Sequence, residues 1–529
     1  MSPDLLTQPL RSRRNHWNNQ VATHAMMRPD AVALRFQGAD TTWAGLHRRS
    51  ESFADALARR GVGFGDRVLI VMLNRPEFLE VVLAVNALGA IAVPVNFRLT
   101  PPEMAYLVTD SGATVVVTDT PLAPLVSAVR QQVPELATCV VVGEEAPDAA
   151  EGYERLVAED GAPHPAVDLP EDIPALIMYT SGTTGSPKGA VLSHTNMQAQ
   201  AQTCIRALRM HGAGDVGFCA SPMFHIAALG SMAPSLQLGI PTVIHPLGAF
   251  NPTELLDVWE AERVTTAFLV PVQWQAVCAE PTVRQRDLAL RVISWGAAPA
   301  SDVVLRAMSE TFPDALNVAV FGQTEMSPIT CVLDGEDALR KLGSVGTVIP
   351  TIQARIVDDE MNDVPVGAVG EIVYRGPTMM SGYWNKQAET ADAFAGGWFH
   401  SGDLVRQDEE GFVYVVDRKK DMIISGGENI YCAEVENALF GHPKVLEAAV
   451  IGRSDARWGE VPVAVVALKD PAAAELTLDE LASYLDDVLA RYKHPKELVI
   501  VEALPRNASG KVVKGELRKE HGSLTVRAS

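Results

Sequence analysis

The sequence predicts an α/β protein with at least two domains: a large N-terminal domain of parallel and mixed sheets covered by helices, then a small C-terminal domain. Three observations carry this. From Thr42 onward helical and extended patterns alternate as strand–helix–strand units, which implies parallel sheets with helices on their faces. With 529 residues, 47% of them hydrophobic, the chain exceeds the size at which one core stops growing. After Gly411 the composition changes, and a charged run at 417–421 separates two apolar segments with about 110 residues still to come, enough for a small domain.

Taken in order, Leu46 to Arg60 reads as a helix, Arg67 to Leu73 as a buried strand and Glu77 to Leu88 as a helix. Ile91 to Val95 is a strand, Pro102 to Thr109 a helix and Thr114 to Thr118 a strand. Glu144 to Pro170, rich in Ala, Pro, Glu and Asp, reads as a surface connection. Asn196 to Met210 is helical, and Thr242 to His245 and Thr265 to Val270 are extended. Val292 to Trp295 is a short strand ending in Gly296-Ala297-Ala298-Pro299, the kind of Gly-containing strand end where open α/β sheets place ligands. Phe412 to Val416 is a strand, which places the boundary in the exposed run Asp417-Arg418-Lys419-Lys420-Asp421. Beyond it, Thr477 to Glu480 has the capping-box form and Leu478, Leu481, Leu485 and Leu489 line one helical face.

The stretch Tyr179 to Gly189 holds three glycines, five serine or threonine hydroxyls and one lysine, between the apolar run Ala175 to Met178 and the apolar pair Val191-Leu192. It reads as strand, polar loop, strand. Glycines let backbone N–H groups approach oxygen atoms, and hydroxyls and an ammonium add donors, so the loop suits a nucleotide polyphosphate. The common P-loop needs Ser or Thr after its lysine and then a helix, whereas Lys188 is followed by Gly189 and more apolar sequence. A kinase or GTPase reading loses weight accordingly. The competing reading is a plain hairpin turn.

Forty-four basic against sixty-five acidic residues give a net charge of -21, which opposes nucleic acid and anionic membrane surfaces as partners. The six cysteines are scattered, with no C-x-x-C pair and no histidine at metal-ligand spacing, so a zinc site is excluded and a reducing cytoplasm expected. Arg11, Arg13 and Arg14 precede no apolar segment of signal-peptide type, and no apolar stretch reaches membrane-spanning length. Peripheral membrane contact and a homodimer stay open.

Six stretches then occur in a fixed order: the Thr180 to Lys188 loop, Pro222-Met223-Phe224-His225, Phe321-Gly322-Gln323-Thr324-Glu325, His400-Ser401-Gly402-Asp403, Asp417 to Asp421, and Pro505 to Lys511. Together they resemble the adenylate-forming superfamily of acyl-CoA synthetases, aryl-CoA ligases, luciferases and peptide-synthetase adenylation domains, over the span from Thr42 to Lys514. The resemblance implies that a carboxylate attacks the α-phosphate of ATP to give an acyl-adenylate and pyrophosphate, and that a thiol then displaces AMP. Charge gathers on oxygens in both steps, so the site needs fixed donors and a metal.

By that resemblance Thr180, Ser181, Gly182, Thr183, Thr184, Gly185 and Lys188 hold the β- and γ-phosphates, Thr324 contacts the α-phosphate, and Glu325 ligates Mg²⁺. One carboxylate is sufficient because Mg²⁺ keeps waters and phosphates as its other ligands. Asp403 accepts from the ribose hydroxyls, and Arg418 reaches the ribose or phosphate; for Arg418 a solvated charge is the competing reading. Lys511 bridges the substrate carboxylate and α-phosphate, as suits a compact cation with rotatable donors. It lies on the small domain (422–529), which is mobile and α+β in this family and turns on the 417–421 hinge, matched at Lys420, against the large domain (1–416). After rotation Gly426 and Gly427 line the pantetheine tunnel, and Trp458, Tyr492 and Lys496 hold the CoA nucleotide.

His225 matches the position that gates the acyl site, with a packed core histidine as the competing reading. Trp295, Gly296, Ala297, Ala298, Gln323 and Met326 frame the carboxyl end of the pocket. Phe224 to Gly230 contains no acid to pair a substrate ammonium, so an apolar acid is favoured. Phe321, Cys432 and Lys514 depart from the family's usual Tyr, Pro and Arg. The Glu325 to Asp403 spacing leaves no room for the insertion of relatives that stop at the adenylate, which favours coenzyme A as acceptor. The expectation is a Mg²⁺- and ATP-dependent acyl-CoA ligase for a medium- or long-chain fatty acid. The alternatives are an aryl-CoA ligase of benzoate or cinnamate type, an acyl-AMP ligase loading a carrier protein, and a catalytically silent adenylate-binding protein.

Overall fold

In the computed structural model two large sheets and two smaller ones account for the strands, and the described residues are 14–143, 150–159, 164, 168–180, 186–298, 300–426, 428–455, 457–470, 476–486, 488–506 and 512–522. The chain divides into two compact units, Met1–Ala354 with Tyr374–Phe399, and Arg355–Val373 with His400–Ser529. Compactness therefore divides the chain earlier than 417–421, which lies inside the second unit.

The first unit holds an eight-stranded and a nine-stranded sheet. In the eight-stranded sheet Glu151–Gly152, Thr138–Val142, Val115–Asp119, Arg67–Val71, Ile91–Pro94 and Pro174–Thr180 run parallel. Lys188–Ser193 and the two-residue strand Gly382–Tyr383 then add antiparallel at the other edge. The nine-stranded sheet is parallel through Val292–Gly296 and Leu316–Gly322 at one side, then turns antiparallel at Ile329–Leu333. Residues of Arg67–Val71 and Ile91–Pro94 are almost all buried, as strands covered on both faces must be. The helices Trp43–Arg59, Pro76–Ala87 and Pro101–Ser111 begin and end within a few residues of the expected positions.

Two expectations change. The connection 144–170 is not only surface: its described part forms the helix Tyr153–Val157, and Tyr153 is fully buried with its hydroxyl donating to Glu80 Oε2 at 2.7 Å. Nor is the run at 417–421 uniformly exposed. The strand Val413–Arg418 includes its first two residues, and Asp417 is buried with its carboxylate accepting from the Cys432 and Arg418 amides.

In the second unit Val445–Asp455 and Gly459–Leu468 form a long antiparallel hairpin, to which Glu497–Val501 adds parallel. Thr477 Oγ1 accepts from the Glu480 amide at 3.2 Å, whereas the Glu480 carboxylate turns to Lys444 at 2.8 Å. Leu481 and Leu485 are buried, and Leu489 follows the helix end, its amide bonded to Leu485 O at 2.8 Å. Among the described residues no helix is long and apolar enough to cross a membrane.

One buried base makes the first unit pH-sensitive. His194, which starts the helix His194–Ala207, is 2% exposed and stacks on His16 with centroids 4.0 Å apart. Burial first, then the neighbouring His16, pushes its pKa well below the ordinary 6.5. Below about pH 6.5 the unfolded chain binds a proton that the folded chain refuses, so stability is full above that value and falls as the pH drops toward the folded pKa. Thermal melts between about pH 7.5 and pH 5.5 should show a larger loss for the wild type than for His194→Gln. Equal losses would rule out His194 as the cause.

Candidate active site

Parallel strands deliver chemistry at their carboxyl ends. Val292–Gly296 and Leu316–Gly322 are parallel neighbours, so Gly296-Ala297-Ala298 and Gln323-Thr324-Glu325 leave the sheet at the same edge. Gly296 is required there, since a Cβ would stand 2.2 Å from Val320 O. Ala297 takes φ +64° and is exposed, as is Ala298. A left-handed alanine costs of order 1 kcal/mol, and such strain clusters at ligand-binding turns. Thr324–Met326 forms a single 3₁₀ turn, which leaves Glu325 8% exposed and Met326 buried.

The hairpin of the other sheet meets this edge. Thr180 ends Pro174–Thr180, Lys188 begins Lys188–Ser193, and the two residues pair across it. Thr180 Oγ1 donates to Glu325 Oε1 at 3.3 Å, and Tyr383 Oη donates to the same oxygen at 3.1 Å. Lys188 Nζ lies 5.3 Å from the centre of the Tyr383 ring. Burial, then the Glu325 charge, raises the Tyr383 pKa far above its ordinary value, so it stays a donor. Ser181, Gly182, Thr183, Thr184 and Gly185 lie outside the described residues.

Glu325 passes a chemical test for a hard cation. Its carboxylate is nearly buried, two neutral hydroxyls hold it, and among the described residues no lysine or arginine forms an ion pair with it. A desolvated carboxylate without a cationic partner is costly, and a divalent ion with oxygen ligands would offset that cost. Among the described residues no group of three or more acidic, histidine or cysteine side chains could hold a metal, consistent with a lone protein carboxylate and substrate oxygens as ligands.

His225 caps the helix Ile226–Leu238 without a side-chain cap bond, and its ring leans on Phe224 with centroids 4.5 Å apart. Phe224 meets Phe97 edge to face at 5.4 Å. Trp295 is 7% exposed, its Nε1 donating to Asn317 Oδ1 at 2.9 Å.

The second unit carries its own group. Asp403 and Arg418 pair across Phe399–Gln407 and Val413–Arg418, with Arg418 Nε 2.7 Å from Asp403 Oδ1. Asp403 is buried, so Arg418 is more than a solvated charge. The turn is braced by Glu371, which accepts from the Gly402 amide at 3.0 Å and pairs with His400 and Lys419, each at 3.1 Å. Burial acts to raise the Glu371 pKa, but His400, the Gly402 amide and Lys419 outweigh it and hold the carboxyl ionised below its usual range. Burial pushes the Lys420 ammonium down.

Gly426 takes φ +61°, donates its amide to Trp458 O at 2.7 Å and lies under the Trp458 ring, where a Cβ would be 2.6 Å from Cε3. Trp458 and Tyr492 are 45% and 43% exposed, and Lys496 is exposed as well. Gly427 and Lys511 lie outside the described residues.

Two side chains escaped the sequence reading. Tyr383 reaches Glu325 only because a two-residue edge strand adds beside the hairpin, and its one signal is the Gly382-Tyr383-Trp384 cluster. Glu371 follows Gly370 at the start of an apolar strand and has no local mark of its role.

The family described as AMP-binding enzyme matches residues 21–384, and its C-terminal domain matches 434–511. A feruloyl-CoA synthase of Amycolatopsis is 40% identical over 94% of this chain and 97% of its own length. A long-chain-fatty-acid–CoA ligase of Mycobacterium tuberculosis is 35% identical over 92% of this chain and 94% of its own. Among solved structures, o-succinylbenzoate coenzyme A synthetase from Bacillus subtilis, in complex with ATP and magnesium ion, superposes with a TM-score of 0.84 at 32% identity, covering 94% of this chain and 99% of that one.

Proposed function

Because the chain belongs to the AMP-binding enzyme family, as an AMP-forming acid–thiol ligase using ATP and coenzyme A, we propose that its acid is aromatic, of the hydroxycinnamate or benzoate type. The observation that carries this is the run of rings Phe97, Phe224 and His225 at the head of the helix Ile226–Leu238. Edge-to-face pairs extend readily to a further ring, worth about 0.5–1.5 kcal/mol beyond area burial. The feruloyl and o-succinylbenzoate relatives support the same class. The run Phe224 to Gly230 favours an apolar acid, and it serves a ring as well as a chain. The fatty-acid relative is also less alike, at 35% against 40% identity.

In this reading Thr180, Lys188 and the hydroxyl loop hold the terminal phosphates of ATP, and Glu325 holds Mg²⁺, which neutralises charge on the phosphate oxygens. Thr324 donates to the α-phosphate, where the substrate carboxylate attacks. Asp403 accepts from the ribose hydroxyls, oriented by Arg418. Lys511 bridges the reacting oxygens, and turning at 417–421 then brings Gly426 and Gly427 to the pantetheine arm, with Trp458 beside the CoA nucleotide.

Pyrophosphate release tests the proposal, measured with ferulate, cinnamate, benzoate and straight-chain acids from acetate to palmitate, each with and without coenzyme A. Highest kcat/KM on an aromatic acid, with CoA consumed, is expected. A maximum on long straight chains restores the fatty-acid reading, and release indifferent to CoA points to a carrier protein.

A further inference from the structure

The phosphate-side residues of the first unit share one buried acid that none of the site assignments includes. Asp110 is the penultimate residue of the helix Pro101–Ser111, and its side chain is 6% exposed. An acid in a last turn faces the negative end of the helix dipole, so the helix itself gives no reason for it. Its partners do. Tyr179 Oη donates to Asp110 Oδ2 at 2.8 Å, and Lys386 Nζ lies 2.7 Å from Oδ1. Tyr106 Oη stands 3.4 Å from Oδ1 and 3.3 Å from Pro187 O, and Asn385 Nδ2 donates to Asp110 O at 3.1 Å.

Apart from Tyr106, which links Asp110 to Pro187, each partner is one to three residues from a group already placed in the site. Tyr179 precedes Thr180, and Pro187 precedes Lys188. Asn385 and Lys386 follow Tyr383 in the segment whose Trp384 amide donates to Gly189 O at 2.8 Å. Two separate pieces of chain, at Tyr179 and Lys386, therefore converge on one carboxylate, and Tyr106 of the same helix links it to Pro187. Thr180 and Tyr383 in turn converge on a single oxygen of Glu325.

We propose that Asp110 is a positioning residue for the phosphate and metal half of the site, holding Thr180, Lys188 and Tyr383 in register with one another. The inference rests on the reading of Thr180, Lys188 and Glu325 as that half. The residue touches no substrate. It acts by making the hairpin base and the Tyr383 edge strand one rigid body, so that donors spaced for the terminal phosphates stay spaced when they are empty-handed; misplacing such donors by about 1 Å costs on the order of 10²-fold in rate. Ordinary fold packing would give no preference for one ligand over another. A clamp on the terminal-phosphate side gives a sharp one.

Calorimetric titration of the full chain with ATP and with AMP, both with Mg²⁺, separates the two. Asp110→Asn and Tyr179→Phe should weaken ATP about tenfold, the usual size of a lost bond to a charged group, and leave AMP within about twofold, since AMP lacks the terminal phosphates. Lys386→Met should behave likewise and Lys386→Arg should restore ATP binding. Tyr179→Phe removes one oxygen and answers the question should Asp110→Asn fail to fold. ATP and AMP affinity falling together, or neither falling in a folded variant, overturns the role of Asp110. If Lys188→Ala and Glu325→Gln also leave ATP binding at the wild-type value, the phosphate-site reading falls, and the inference with it.

Discussion

Glu325→Gln is expected to reduce pyrophosphate release by about 10²- to 10³-fold while the protein stays folded, melting within a few degrees of the wild type. Glutamine has the same shape, and its carbonyl oxygen can accept from the Thr180 and Tyr383 hydroxyls that now hold Oε1 at 3.3 and 3.1 Å. Only the charge is removed. That charge is nearly buried and among the described residues has no lysine or arginine in ion-pair contact, so the fold loses no salt bridge with it. On the proposed reading, what disappears is the carboxylate charge that would hold Mg²⁺ from the protein side. Raising the Mg²⁺ concentration should recover part of the rate in the variant. A variant within about fivefold of wild type, with unchanged Mg²⁺ dependence, would remove Glu325 from the metal site.

Glu325 enters through the family resemblance, whose motif here is an apolar strand, a glycine, then Gln, Thr and Glu at a turn. The alternation that gives the fold is legible in the residues themselves. Arg67–Val71 and Ile91–Pro94 are covered on both faces and so read as continuous apolar runs, while Trp43–Arg59 shows its buried side at helical spacing. Where burial is sparse the pattern fades. The helix Trp17–Met27 buries only Trp17 and Val21, and nothing in its remaining Asn, His and Met residues announces it.

The support around each site residue is a matter of distant pairing, which local pattern does not carry. Thr180 and Glu325 meet across 145 positions, Tyr179 and Asp110 across 69, and Tyr383 enters through a strand of two residues. Tyr153 is a similar case. A polar, proline-containing surrounding made 144–170 look like surface, yet the ring closes over Phe53 at 4.6 Å and its hydroxyl satisfies a buried glutamate. Residue types at turns give the chemistry away, whereas the residues that hold those turns in place are ordinary in composition.

Lys511→Ala is expected to lower adenylate formation by at least about 10²-fold yet leave thioester formation from supplied acyl-adenylate and coenzyme A within about threefold. Lys511 lies outside the described residues, of which Arg506 and Val512 are the nearest on each side. Arg506 and Val512 form an antiparallel bridge, and the Val513 amide donates to Pro505 O at 2.8 Å. Three residues on, Lys514 Nζ lies 2.7 Å from Glu436 Oε1, with 16% and 18% of the two side chains exposed, and Arg518 pairs with Asp421 at 2.5 Å. The segment after Lys511 is thus tied both to the helix Cys432–Phe440 and to the end of the 417–421 run, so a turn at that run would carry the lysine with it. On the proposed reading the lysine is carried out of the site before the thiol displaces AMP, so its loss should show in one half-reaction. The check is a pair of assays, ATP–pyrophosphate exchange and CoA consumption from synthetic acyl-adenylate. Equal loss in both would mean that Lys511 serves the fold or both steps, and that the two half-reactions do not divide at the hinge.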